Sequence, residues 1–418
     1  RIFVAAAYEK AAQHFESTDG HMKILVGWEV PEDAFTLELL LNVDGNEASI
    51  YSELDAFKSA AEGDYWDVIL LSLDFPSREA SMELFTQLQA VSDGSPIVGA
   101  CQPGDTTHLI EFLSQGLHSH VVRDAGGDFM MLLISVLESA YETIEAMKAR
   151  VVAERLSEEV DSVRKLQESV IPSDLPKING YSIVGRYEPS EIKVSGRNPV
   201  VMAGGDYYDS FMLNDEMIVL LVGDASGHGV KACMSIMTMH TLIRMIKNEQ
   251  YPDAAEFVSA VNDRLCTSDI VQDEGGFITL LYSMLNVEKH QIEWTCAGHP
   301  LPLLQDLATN EITVMGDEDD VGLPLAVSAG WPYEKMVAEI PDNSRVLIYT
   351  DGLEEAYPPS GDALLDQFGV KGIIRGLQES KDLSLDAALD HIFDLSSDIT
   401  EGAGRHDDTS VILIERKD

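Results

Sequence analysis

From Asp128 to Val170 the chain contains neither glycine nor proline and is rich in Glu, Ala, Leu, Lys and Arg. Good helix formers without a breaker predict one long helix. Such a helix divides the 418 residues into three parts, with globular sequence on either side. Val152, Leu156, Val160, Val163, Gln167 and Val170 recur at spacings of four, four, three, four and three, close to a heptad stripe. Leu133, Leu137, Ile144, Met147 and Val151 form a second stripe slightly out of phase. Either the helix packs on its own domains or it pairs in a parallel dimeric coiled coil. Its length and charged flanks favour the coil, and so a homodimer.

Composition narrows the function classes. With 72 Asp plus Glu against 28 Lys plus Arg, the formal charge is -44. That balance argues against nucleic acid, whose phosphates would be repelled over most of the surface, and against an anionic membrane face. An apolar fraction of 45% fits globular domains with real cores. The longest apolar run, Phe129 to Leu137, is far short of the ~18–20 residues of a membrane span. Arg1 to Tyr8 lacks the length and cleavage pattern of a signal peptide. Cys101, Cys233, Cys266 and Cys296 are scattered, as small buried hydrophobes in a reducing compartment would be. A soluble, cytoplasmic protein is expected.

Residues 1–22 carry no pattern, and the Gly20-His21-Met22 junction reads as an expression scar with Met22 as the native start. Residues 23–127 alternate short apolar runs with stretches of helical length. The runs are Lys23–Gly27, Ala48–Tyr51, Asp67–Leu73, Pro96–Ala100 and His120–Arg123. Nearly all-apolar strands alternating with helices predict a doubly wound α/β domain with both sheet faces covered.

With Pro76 after the third strand, Pro96 opening the fourth and Gly116 before the fifth, this part resembles the receiver domain of response regulators. The resemblance implies a flavodoxin-like fold. It also implies an acceptor aspartate ending the third strand, an acidic pair after the first, a hydroxyl after the fourth and a lysine after the fifth. Here those positions hold Ser72, Gly27-Trp28-Glu29, Cys101 and Arg123. A serine forms no acyl phosphate, and one carboxylate is a poor Mg²⁺ site. Asp74, two residues on, is the alternative acceptor, or else a plain loop carboxylate. The expectation is a pseudo-receiver without a phosphorylation site, kept for contact or dimerisation.

Residues 128–172 form the helical linker, and 173–418 carry the chemistry. Four aspartate motifs stand apart there. Gly204-Gly205-Asp206-Tyr-Tyr-Asp209 follows an apolar stretch, and Met217 to Gly223 is a buried-type strand ending in Asp224-Ala-Ser-Gly-His-Gly229. Arg345-Val-Leu-Ile-Tyr-Thr-Asp351-Gly352 repeats that layout, and Asp407-Asp408-Thr-Ser precedes the strand Val411–Ile414. Strand ends converge when sheets pack, so several carboxylates meet. Left alone they would repel and their pKa values would rise. Hard divalent cations resolve that with oxygen ligands. Two ions about 3.5–4 Å apart can activate a water and polarise a phosphoryl oxygen.

In this order the motifs resemble the metal-dependent protein phosphatases (the PPM or protein phosphatase 2C family), most closely the SpoIIE-type branch. Gln167-Glu-Ser-Val-Ile-Pro172, Ala297-Gly298-His299-Pro300 and Gly322-Leu-Pro-Leu325 agree with it. The resemblance implies an α/β/β/α sandwich and two Mn²⁺ or Mg²⁺ ions. It implies that Asp206, Asp224, Asp351 and Asp407 are the catalytic, metal-coordinating carboxylates, with Asp224 bridging and the Ala225 carbonyl contributing. Gly352, Asp408 and Asp209 are expected as supporting groups. The implied reaction is direct hydrolysis of phosphoserine or phosphothreonine by water activated at the metal centre. His228 and His299 are each either proton-handling or structural.

The branch runs directly into its Gly-Gly-Asp motif, whereas here Glu191 to Met202 intervenes, with Lys193 and Arg197 inside. That insertion is either a plain surface loop or a cationic cover that binds substrate phosphate. The resemblance further implies a phosphorylated anti-sigma-factor antagonist of the STAS fold as substrate, under receiver control through the linker. The alternative is a non-catalytic adaptor that binds a sigma factor or its regulator.

Overall fold

A computed structural model describes residues 21–43, 45–124, 128–192, 200–201, 204–249, 251–272, 275–359, 367–401 and 404–417. The chain forms two compact units, Arg1–Arg155 and Leu156–Asp418.

In the N-terminal unit β1 (Lys23–Gly27), α1 (Ala34–Leu41), β2 (Glu47–Tyr51), α2 (Leu54–Gly63) and β3 (Val68–Ser72) are followed by α3 (Ser81–Val91), β4 (Ile97–Cys101), α4 (Thr106–Ser114) and β5 (Ser119–Val122). The five strands are parallel in the order β2-β1-β3-β4-β5, a doubly wound, flavodoxin-like arrangement. Strand alternation splits the core. Ile24, Val26, Val68 and Leu70 face Leu37 and Leu41 of α1, whereas Leu25, Ile69 and Leu71 face Phe57, Phe85 and Phe112 of α2, α3 and α4. Each such fully buried side chain contributes about 1.5–3 kcal/mol.

The long helix α5 runs Asp128–Glu168, as its sequence predicts. Its first turns are not a free linker. Leu133, Leu137 and Ala140 are buried in the N-terminal core, where α1 alone leaves that sheet face short of cover. Further along, Met147, Val151 and Val152 are exposed.

The C-terminal unit packs two sheets face to face. Its strands are β6 (Tyr181–Glu188), β7 (Glu191–Ile192), β8 (Val200–Val201), β9 (Asp206–Met212), β10 (Met217–Ala225), β11 (Ile278–Asn286), β12 (Gln291–Ala297), β13 (Leu303–Asp306), β14 (Ile312–Val314), β15 (Val321–Gly322), β16 (Met336–Glu339), β17 (Ser344–Tyr349) and β18 (Thr409–Arg416). One sheet has the order β15-β12-β11-β10-β9, with β16 also on β12; the other is β14-β13-β17-β18-β6. Ile218, Leu220, Val222 and Leu281 meet Val346, Ile348, Ile412 and Ile414 between them. The intervening residues face outward. Val219, Leu221 and Tyr282 lie under α6 (Val230–Ile246), α7 (Ala254–Leu265) and the short α8 (Asp269–Gln272). Leu347, Leu413 and Val411 lie under α9 (Gly369–Glu379) and α10 (Leu385–Ile399). Helices therefore cover both outer faces, giving four layers. Asp253 and Ser384 cap α7 and α10 by accepting from Glu256 N and Ala387 N, each cap being worth about 1 kcal/mol.

Candidate metal centre

Register and alternation bring the expected carboxylates together. Asp206 opens β9 and pairs with Asp224 near the end of β10, so both side chains leave the sheet on the face toward the second sheet. On that second sheet Thr350 and Asp351 follow the end of β17, and Asp407 and Asp408 precede the start of β18, which pairs with it. Burial pushes the Asp224 carboxyl up to about 9, and the charges of Asp351 and Asp407 add to that. Asp206 is raised by burial and then by Asp224 and Asp408. Asp407 is raised to about 6, mainly by burial, and Asp351 is raised by burial against bonds from its own and the Gly352 N–H. The four are thus close enough to oppose each other's ionisation.

The supporting groups divide. Asp408 accepts from Ser190 N and Gly205 N, each at 2.7 Å, which holds the Gly-Gly turn beside the centre. Gly352 is required there, because a Cβ would fall 1.8 Å from the Asp408 carbonyl oxygen. At Gly205 a Cβ would lie 2.6 Å from the Ala225 carbonyl oxygen and 3.0 Å from Asp224 Oδ1, so both oxygens crowd the same space. Asp209 differs from expectation. It sits on the opposite face of β9, fully buried, paired with Arg244 at 2.5 Å and accepting from Tyr207 Oη at 2.7 Å. An odd separation from Asp206 along a strand sends it away from the carboxylate cluster.

Two further groups join the centre. Thr350 Oγ1 donates to Asp206 Oδ2 at 2.6 Å and accepts from Ser410 N at 2.9 Å. Gln167, buried near the end of α5, donates to the Asp206 carbonyl at 3.0 Å and accepts from Gly204 N at 2.9 Å. Its place in the heptad stripe hid this role; a polar residue on an apolar stripe was the available signal. His228 is exposed in the turn after Asp224. His299 is buried and pushed down to about 3 by that burial, so it is neutral at physiological pH. Lys193 and Arg197 lie outside the described residues.

A divalent cation suits these residues in donor type and charge, because buried, mutually repelling carboxylate oxygens are what a hard ion neutralises. Among the described residues no group of three or more His, Cys, Asp or Glu side chains stands ready to hold an ion. The hydrogen bonds explain part of this, since Asp206 and Asp408 spend oxygens on Thr350, Ser190 and Gly205.

In the N-terminal unit the corresponding strand ends look different. Ser72, buried at the end of β3, accepts from Arg123 Nη1 at 3.2 Å, and the same guanidinium bonds Glu29 and stacks 4.2 Å over Trp28. Asp74 lies 3.7 Å from Arg78, and the Cys101 thiol points to the Val121 carbonyl at 3.7 Å.

Residues 214–417 match the family model described as Stage II sporulation protein E (SpoIIE). The C-terminal unit carries a SpoIIE-type PP2C phosphatase domain. Phosphoserine phosphatase RsbU of Bacillus subtilis is 23% identical over 292 residues, 69% of this chain and 79% of that protein. Protein IcfG of Synechocystis sp. is 22% identical over 288 residues, 62% of this chain. The match spans only 41% of the length of IcfG. The solved SiaA-PP2C domain of Pseudomonas aeruginosa shares the fold, with a TM-score of 0.51 and 15% identity over 64% of this chain and 99% of that one. Among the described residues no helix is long and apolar enough to cross a membrane.

Proposed function

We propose that this protein is a metal-dependent serine/threonine phosphatase acting on a phosphorylated anti-sigma-factor antagonist of the STAS fold in a partner-switching pathway. The carrying observation is the gathering of Asp206, Asp224, Asp351 and Asp407 from two facing sheets, each carboxyl raised by burial or by its neighbours. The likeness to phosphoserine phosphatase RsbU supports the catalytic reading over an adaptor, as does the presence of all four carboxylates.

A bound pair of Mn²⁺ or Mg²⁺ ions supplies an activated water nucleophile and polarises a phosphoryl oxygen. Asp206, Asp224, Asp351 and Asp407 offer the oxygens that would hold it, with the Ala225 carbonyl beside them. Thr350 fixes the Asp206 carboxyl through one oxygen. Asp408 keeps the Gly204-Gly205 turn in place. His228, exposed in the Gly-rich turn, is the candidate donor of a proton to the leaving serine or threonine oxygen. A net charge of -44 repels a phosphoprotein, so docking relies on shape and on local cations.

The N-terminal unit is a degenerate receiver that controls the phosphatase through a homodimeric α5. Its five-stranded order and its Ser72–Arg123–Glu29 contacts support the receiver reading. The exposed Met147, Val151 and Val152 support the dimer. Incubation with candidate phospho-STAS proteins, with and without Mn²⁺, on a phosphate-affinity gel tests the whole reading. Absence of Mn²⁺-dependent dephosphorylation of any of them, together with no hydrolysis of p-nitrophenyl phosphate, would overturn it.

A further inference from the structure

Two motifs of the sequence supply no carboxylate to the centre, yet the fold joins them. β15 runs beside the end of β12, pairing Val321 with Cys296 and Gly322 with Ala297. Gly298 has a φ of +67°, and a Cβ there would lie 2.5 Å from Pro324 Cγ, so the Gly-His-Pro turn closes directly on the Gly-Leu-Pro-Leu turn. Leu325 N–H donates to the Ile278 carbonyl at 2.8 Å and Ile278 N–H to the Leu325 carbonyl at 3.2 Å. The Cys296 thiol donates to the His299 carbonyl at 2.9 Å. The backbone of His299 is fixed from several sides.

The imidazole those turns hold is only 2% exposed. Its Nδ1 is 2.8 Å from Thr279 Oγ1. Thr279 stands directly opposite Asp224 in the β10–β11 register, so the two side chains share a face, with Cβ atoms about 4.5–5.5 Å apart. On its far side the ring lies against the backbone of Tyr349, which ends β17 immediately before Thr350 and Asp351. Nε2 is buried there, and among the described residues its contact with the Tyr349 backbone falls short of a well-formed hydrogen bond. Filling the gap alone would favour an apolar side chain, since a buried polar atom left open costs about 1–3 kcal/mol. A neutral ring also adds no charge to carboxylates that already repel one another.

We infer that His299 is a positioning residue, wedged between the sheets by the two closed turns, which sets Asp224 through Thr279 against the Thr350–Asp351 strand end and so governs affinity for the divalent cation. The inference rests on the metal-centre reading above. It gives the two turns a shared task, namely to hold one ring at the point where carboxylates from different sheets must keep their spacing.

The test uses the full chain and MnCl₂ in calorimetric titrations, with thermal unfolding and p-nitrophenyl phosphate hydrolysis measured on the same samples. His299→Leu is expected to weaken Mn²⁺ binding roughly 10-fold, the low end for partners that orient metal ligands. Thr279→Val is expected to weaken it a few-fold, and the double variant no more than His299→Leu, because both act through one chain of contacts. Saturating Mn²⁺ should restore most of the turnover, and the pH profile between the usual carboxylate and lysine ranges should keep its shape. Unchanged Mn²⁺ affinity in both single variants overturns the inference, as does a loss of turnover that saturating Mn²⁺ does not restore. If His299→Leu fails to fold, Thr279→Val carries the comparison. A wild type that binds Mn²⁺ but hydrolyses no phosphoester overturns the phosphatase reading while the affinity comparison still decides the role of His299. A wild type that binds no Mn²⁺ overturns both.

Discussion

At the end of β3, Arg123 reaches Ser72 and bonds Glu29, while its plane rests on Trp28. At the end of β10, the charges that act most on Asp224 are those of other carboxylates, Asp351 and Asp407. Both places are strand ends lined by polar side chains, and in both the fold takes those side chains partly out of water. One region answers its acid with a guanidinium from the same chain. The other concentrates acid and raises its pKa values, an arrangement that a cation from solution would relieve. A strand end is therefore only a location; the sign of the charge gathered there decides whether it is closed or open to an ion.

The comparison breaks most visibly at Asp224. Asp224→Asn should lower Mn²⁺-dependent hydrolysis of p-nitrophenyl phosphate by on the order of 10³-fold, because several kcal/mol of transition-state stabilisation depend on the ions. In the metal-free protein near neutral pH the same substitution should raise the unfolding midpoint, since it removes a carboxyl that folding must protonate because burial and its neighbours oppose its charge. Undiminished turnover, or a lowered midpoint, would mean the cluster is a structural network and not an open site.

The second effect is on stability against pH. A carboxyl whose pKa is raised on folding contributes stability that is complete below its unfolded value, near 3.9 for Asp, and that is lost as pH climbs through the folded value. With Asp407 at about 6 and Asp224 at about 9, the metal-free protein should lose stability steadily as pH rises from about 4 to 9. Excess Mn²⁺ should reverse the slope, because ligation needs the deprotonated carboxylates. Thermal melts at intervals of pH, with chelator and with Mn²⁺, check both slopes. A flat metal-free profile would remove the electrostatic contrast between the two regions.

How much of this was legible in the sequence follows from the range of the interactions. The strand ends were readable because alternation and an adjacent glycine mark them locally, as in Val-Gly-Asp224-Ala and Tyr-Thr-Asp351-Gly. The parallel order of the first sheet was implied by apolar strands alternating with helices, and the structure moves their bounds by only a residue or two. The particular bonds made across long separations were not readable, although the resemblance does imply Asp408 as a supporting group. Asp408 reaches Gly205 over 203 positions and Thr350 reaches Asp206 over 144, and neither bond leaves a periodic trace. Gln167 fits the heptad spacing and also opens the Gln167–Pro172 segment that agrees with the SpoIIE-type branch, but neither pattern tells that its amide bonds Gly204 and Asp206. Asp209 stands only three residues from Asp206, yet strand parity sends it to the other face, and that parity can be read only once the strand's register is known.

Arg123 gives the third test. Its side chain and that of Glu29 are 12% and 19% exposed, so deleting the guanidinium leaves a largely desolvated carboxylate without its partner. Arg123→Ala should cost roughly 1–3 kcal/mol in urea unfolding of the N-terminal unit. Raising ionic strength should recover little of that, since a pair this buried is poorly screened. A cost near zero would show that this strand end is solvated and its ion pair incidental.

The smallest effect is expected when acid is added to the closed region. Ser72→Asp places a carboxylate where the serine hydroxyl now accepts from Arg123 at 3.2 Å. The guanidinium is already in reach, so the new charge meets a cation without rearrangement, although Glu29 then shares that cation. Stability should change by no more than about 1 kcal/mol, a modest value for a single substitution. Mn²⁺ should not raise the unfolding midpoint of the N-terminal unit, because a carboxylate pair straddling an arginine has little net charge left to offer. The C-terminal unit of the same sample should still respond to the ion, which makes it an internal control. If Mn²⁺ stabilised the N-terminal unit of Ser72→Asp as strongly as the C-terminal one, acid at a strand end would be enough to make a cation site, and Arg123 would not be what closes this one.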